Sequence, residues 1–142
     1  MPRSTRSKLL VVAVALSFWA CGGNSATSPT STTTTTPAQT TTETFEGTLN
    51  PNGAKTFPFT LQAAGTVTAT LTTVSPDATV AVGLSLGTWN GSACQIVLAN
   101  DNAIQGAVLT GSASAAGNLC ARAYDVGNIV APVSFVVTLV HP

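Results

Sequence analysis

From about residue 43 onward, apolar and polar residues alternate with a period of two, the pattern of half-buried β-strands. Phe57, Phe59 and Leu61 alternate with Thr56, Pro58 and Thr60, and Val67, Ala69 and Leu71 with Thr66, Thr68, Thr70 and Thr72. Val80, Val82, Leu84 and Leu86 form the next apolar series, Cys94, Ile96 and Leu98 share a face of the one after, and Phe135, Val137 and Leu139 face one way in the last. Turn-forming clusters separate these runs: Asn50-Pro51-Asn52-Gly53, Ala63-Ala64-Gly65, Ser75-Pro76-Asp77, Asn90-Gly91, Asn100-Asp101-Asn102, Ala115-Ala116-Gly117 and Asp125-Val126-Gly127-Asn128. The spacing predicts about eight strands, near 42–49, 55–61, 65–74, 79–89, 93–99, 107–113, 118–125 and 132–140. Short strands with evenly spaced turns and no helical period define an all-β fold, an antiparallel β-sandwich of jelly-roll type. Outward-facing β-branched threonines suit a solvated sheet that carries few charges. Pro58 cannot donate to a ladder, so its strand belongs at a sheet edge.

The pattern before residue 43 is different and divides in two. Residues 1–21 hold a basic start (Arg3, Arg6, Lys8), an apolar run from Leu9 to Leu16, and Ala20 before Cys21. Such a run is too short to span a bilayer, which takes about 20 apolar residues, and reads as an export signal. Ala20-Cys21 is similar to the bacterial lipobox, whose cysteine is diacylated and becomes the mature N-terminus. Phe18 and Trp19 depart from the usual Leu and small residue of that motif. Two or three acyl chains, at about 0.8 kcal/mol per buried CH₂, anchor stably where one does not. Residues 22–42 carry no base, no large apolar residue and one Thr/Ser/Pro-rich tract, so they read as a disordered linker between the anchor and the domain at 43–142. The resulting expectation is a lipid-anchored protein of a bacterial cell envelope. Gly22 after the cysteine points to the outer membrane of a two-membrane organism; the alternative is secretion.

Composition narrows the chemistry. Of 142 residues only 7% are charged, and beyond Cys21 two bases (Lys55, Arg122) face five acids, a net of −3. Nucleic-acid binding through phosphate neutralisation is therefore not expected. Three cysteines leave one over if Cys94 and Cys120 pair, and lipidation accounts for Cys21. On two predicted strands of an exported protein, Cys94 and Cys120 predict a structural disulfide contributing about 3 kcal/mol. A Ser–His–Asp arrangement would have to use the lone His141 near a terminus expected to fray. No Gly-x-Ser-x-Gly elbow is read and no His-Glu-x-x-His occurs, so the chain reads as non-catalytic. No cofactor is expected. The loop oxygens available to calcium come from Asp77, Asp101 and Asp125, each in a turn where Asp serves the backbone.

The candidate ligand contacts are Trp89, Asn90 and Tyr124. A tryptophan at a strand end either stacks on a ligand at the rim of the sandwich or caps the core, and its exposure decides between the two. The segment from Asn118 through Tyr124 to Asn128, followed by Pro132 to Leu139, resembles the C-terminal end of the bacterial pre-peptidase C-terminal domain. In that family a strand of the form Tyr-x-Val-Arg-Val-Tyr leads through a polar turn into a final strand. Phe57-Pro58-Phe59 and the run from Gly65 to Leu71 are similar to its opening strands. The resemblance implies a β-sandwich accessory module of secreted peptidases, some of which bind matrix polymers or calcium. Here a lipid signal and stalk stand where the peptidase would be. The sequence therefore predicts a surface-tethered, monomeric binding lipoprotein for an envelope or extracellular glycan or protein. The alternative is a purely structural envelope lipoprotein.

Overall fold

The computed structural model describes residues 39–142. The segment read as an export signal, Cys21 and most of the stretch expected to be linker lie outside the described residues. Among the described residues there are eight strands: β1 (Thr41–Leu49), β2 (Ala54–Leu61), β3 (Gly65–Ser75), β4 (Val82–Trp89), β5 (Cys94–Ala103), β6 (Val108–Ala113), β7 (Gly117–Tyr124) and β8 (Val133–His141). They form two four-stranded antiparallel sheets, ordered β1-β8-β3-β6 and β2-β7-β4-β5. With consecutive strands placed in opposite sheets at each end, this is the jelly-roll arrangement, and the sequence expectation of fold class holds. β1 begins at Thr41, two residues inside the segment expected to be linker, because Thr41 and Thr42 pair with His141 and Val140.

The period of two places the core. Val67, Ala69 and Leu71 of β3 and Phe135, Val137 and Leu139 of β8 face Phe59 and Leu61 of β2, Val82, Leu84 and Leu86 of β4, and Ala121 and Ala123 of β7. One edge of the interlayer is filled by an aromatic series. Phe45 stacks on Phe57 at 4.9 Å, and Phe57 meets Phe135 edge-on at 6.0 Å. The outer face of the first sheet is a grid of small β-branched residues, with rows such as Thr44–Thr138–Thr70–Val108 running across all four strands. Pro58 does lie on an edge strand, since β2 is outermost in its sheet.

Bulges account for the departures from strict alternation. In β3 the register shifts between Leu71 and Thr73, which lets Leu71 and Val74, three apart, both point inward. The Thr72 hydroxyl donates to the Val136 carbonyl at this bulge. In β5 the register with β4 shifts between Leu86 and Gly87, leaving Val97 as the extra residue. Ile96 is therefore opposite Gly87 while Leu98 is opposite the core residue Leu86. Cys94, Ile96 and Leu98 thus do not share one face as the alternation predicted. The expected turn at Asn100-Asp101-Asn102 is a second bulge within β5, where Leu84 pairs with Asn100 and Val82 with Ala103. The Asn100 side chain accepts the Asn102 N–H, so the Asn-rich run bends the strand without reversing it. β4 starts at Val82 and not at 79, because Asp77 holds Thr79 and accepts the Val80 N–H through its carbonyl.

The end of β8 is ordered, contrary to the expected fraying. His141 is 2% exposed, and its Nε2 lies 3.0 Å from Glu43 Oε1 and its Nδ1 3.1 Å from the Pro142 carbonyl. Its ring centroid is 5.1 Å from that of Phe59. Pro142 lies against Gly65, where a Cβ would come within 2.5 Å of its ring.

Candidate functional site

The outer face of the β2-β7-β4-β5 sheet carries Trp89 and Tyr124. Along β4, Gly83, Ser85, Gly87 and Trp89 point to this face, opposite Leu84 and Leu86. Register places Tyr124, Arg122 and Cys120 of β7 beside Gly83, Ser85 and Gly87. On the far side of β7, Cys120 pairs with Pro58 and Asn118 with Thr60 of β2. β4 is buried on both faces from Val82 to Gly87. The cover on the outer side is specific. The Tyr124 ring lies over Gly83, and the Gln95 carbonyl lies over Gly87, so a Cβ at either glycine would collide with them. Cys94 of β5 and Cys120 of β7 are joined across the intervening β4, with Cα atoms 5.8 Å apart. Neighbouring strands lie about 4.7–4.9 Å apart, so β5 must fold inward over Gly87 for two strands this far apart in the sheet to be bridged.

Gly83-Leu84-Ser85-Leu86-Gly87 does match Gly-x-Ser-x-Gly, which corrects the expectation that this pattern is absent. A nucleophile elbow needs the serine on a strained strand-to-helix turn with its hydroxyl exposed. Ser85 instead sits in the middle of β4, is fully buried, and its hydroxyl donates to the Arg122 carbonyl at 3.5 Å. The two glycines are accounted for by Tyr124 and Gln95, and His141, at the end of β8 in the other sheet, pairs with Glu43.

Trp89 is half-buried at the end of β4 and is not among the residues packed between the sheets. It lies in an open groove of about 500 Å³ together with Pro58, Thr60, Asn90, Gly91 and Asn118. Among the described residues, no charged side chain lines this groove. Within it the Thr60 hydroxyl donates to Asn118 Oδ1 at 3.1 Å. Thr60 and Asn118 escaped sequence reasoning because only the β2–β7 register brings them together. Asn90 is committed to the turn: its Oδ1 accepts from the N–H and hydroxyl of Ser92 and from the Ala93 N–H. Among the described residues, Trp89 is the one predicted contact whose side chain has no hydrogen-bond partner of its own.

Tyr124 is separate from this groove. It pairs with Gly83, which places it about 20 Å from Trp89 at the rise of a strand. Its hydroxyl donates to Asp101 Oδ1, and the Arg122 guanidinium lies 5.4 Å from its ring centroid. Burial first, then the hydrogen bond and the charge of Asp101, push the Tyr124 phenol up to about 12, against the opposing pull of Arg122. Both its ring and its hydroxyl therefore serve the fold.

Each of the three aspartates named as calcium candidates already accepts hydrogen bonds. Asp77 accepts the N–H and hydroxyl of Thr79, which hold it below the usual carboxylate range. Asp101 accepts from Tyr124. Asp125 accepts backbone N–H groups from Asn52, Gly127, Asn128 and Ile129, and the Asn52 bond foremost holds its carboxyl low. Among the described residues, no three His, Cys, Asp or Glu side chains cluster in a way that could hold a metal ion. No family model matches the chain, and no curated protein matches it either.

Proposed function

We propose that this chain is a non-catalytic, lipid-tethered envelope lipoprotein whose jelly-roll domain binds a neutral glycan or protein segment through the Trp89 groove. One observation carries the reading: a half-buried tryptophan in an uncharged groove, beside a threonine–asparagine pair. An indole face flanked by amide and hydroxyl groups offers stacking and hydrogen bonding to a hydroxyl-rich or peptide ligand without any ion pair. The low charge of the whole domain agrees with a neutral partner. The alternative, a purely structural envelope component, draws support from the internal engagement of Asn90 and Tyr124.

Trp89 is the only tryptophan beyond the signal segment, so its fluorescence reports on this groove alone. Titration with envelope polysaccharides and secreted proteins is expected to shift its emission. Trp89→Ala is expected to weaken binding by about 2 kcal/mol or more, a loss of roughly 30-fold, as for an interface hot spot. Its stability cost should stay near 2 kcal/mol, below that of a fully buried aromatic. Unchanged binding by the variant would leave the structural alternative as the better account.

The tether has its own test. Cys21→Ser is expected to abolish incorporation of radiolabelled palmitate and to leave the precursor unprocessed. Normal cleavage with a soluble product would assign the processing to an ordinary signal peptidase and remove the anchor.

A further inference from the structure

The four sheet edges of this sandwich are not equally protected. An edge strand exposes unpaired N–H and C=O groups, and proteins blunt such edges with charges, proline, bulges or covering segments. β1 carries Glu43 and Glu46, and β2 carries Lys55 and Pro58. β5 has two bulges and is drawn inward by the disulfide. β6, which among the described residues pairs only with β3, runs Val-Leu-Thr-Gly-Ser-Ala with no charge, no proline and no register shift. Beside it the sandwich is open. An apolar cleft of about 340 Å³ reaches between the sheets to Val67, Leu86 and Leu119, and among the described residues none that lines it is charged. Its mouth is bordered by Val97, 69% exposed, and by Leu98, 37% exposed, which reaches toward Gly111 of β6.

From this placement we infer that β6 is a homodimerisation edge, pairing antiparallel with β6 of a second copy about a two-fold axis, in place of the monomer expected from sequence. The unpaired backbone of β6 calls for an extended strand, and its sequence suits itself. A register centred on Thr110 sets Thr110 against Thr110, and each Leu109 against the small Gly111 of the other copy. Large side chains then meet small ones, and the threonines meet as a favourable cross-strand pair. The strand carries no charge, so no like charges face each other across the axis. The same axis brings the exposed Val97 and Leu98 of the two copies toward one another and covers both clefts. An isologous contact of this kind closes at two copies and leaves no further β6 edge free. The inference does not depend on the ligand-binding reading: Trp89 does not line this cleft, although Asn118 borders both the cleft and the Trp89 groove.

Cysteine cross-linking of the full chain in membranes tests it. Thr110→Cys is expected to give a covalent dimer on non-reducing gels after mild oxidation, and Thr44→Cys on the distant β1 edge to give none. In detergent solution, sedimentation equilibrium should find a dimer for the unaltered chain. Thr110→Lys, at an exposed position, should raise the dissociation constant at least tenfold with an unchanged circular dichroism spectrum. A monomer at all concentrations, equal cross-linking at both positions, or a Thr110→Lys chain that is still dimeric would overturn the proposal. So would a monomer that binds only foreign extended peptides at this edge.

Discussion

Phe135→Ala is expected to cost about 3–5 kcal/mol, the range for removing a buried aromatic side chain. Phe135 is 1% exposed in the middle of β8, the strand that holds β1 and β3 together. Its ring abuts Phe57, which stacks on Phe45, so truncation opens a cavity where the two sheets are sealed by aromatic contact. Domains of this size are stable by about 5–15 kcal/mol, so the loss takes up a large part of the total. Urea unfolding followed by circular dichroism checks this, with Val136→Ala as the control. Val136 is on the outward face of the same strand and is only half-buried. Its truncation should cost less than about 1 kcal/mol, as surface changes generally do. Equal losses at the two positions would mean that the facing of β8 is wrong.

Replacing Cys94 and Cys120 together by serine is expected to lower stability by about 3.5 kcal/mol, the chain-entropy value for a loop of this length. The separation is 26 residues. A local effect should accompany the global one. The bond holds the first part of β5 over Gly87, and Cys94 pairs directly with Trp89. Without the bond this segment has fewer constraints on the outer face. Trp89 emission should then move toward the red at denaturant concentrations where the remaining strands are still folded. A single cooperative transition, with Trp89 unaffected until the whole domain unfolds, would mean that β5 is held by its ladder with β4 alone.

Much of this fold could be read directly from the chain. Threonine and valine alternating over short runs fix the strands, and the facing of Phe59, Leu61, Val67, Ala69, Phe135, Val137 and Leu139 follows from the period alone. What the period cannot reveal is a bulge. One extra residue at Val97 moves Leu98 to the opposite face from Ile96, and nothing in the apolar run Ile96-Val97-Leu98 marks that shift. Asn100-Asp101-Asn102 misleads for a related reason, since the side-chain-to-backbone bonds that favour a turn also stabilise a bulge. The site was legible in part. Trp89 could be named from its place at a strand end, but its groove is made by Thr60 and Asn118, which are 58 residues apart and meet only through β2–β7 pairing. Asn90 and Tyr124 carry the residue types of a contact surface, yet their polar atoms are used by a turn and by Asp101. Gly83 and Gly87 illustrate the same limit. Their spacing around Ser85 mimics a catalytic motif, while their small size answers to a ring and a carbonyl that only the tertiary structure brings near.

The pairing of the first strand with the last also sets how the domain bears a pull. β1 lies antiparallel to β8 along its full length, from Thr41 opposite His141 to Leu49 opposite Val133. A load that enters at residue 40 and runs along the strand acts in shear, so the rungs of this ladder resist together and none can be peeled off singly. The Glu43–His141 contact and the stacked Phe45 reinforce the rows nearest the point of entry. A pull directed sideways would instead separate Thr41 from His141 first and release the rungs one after another. Resistance under tension should therefore depend on direction, greatest along β1 and weakest across it.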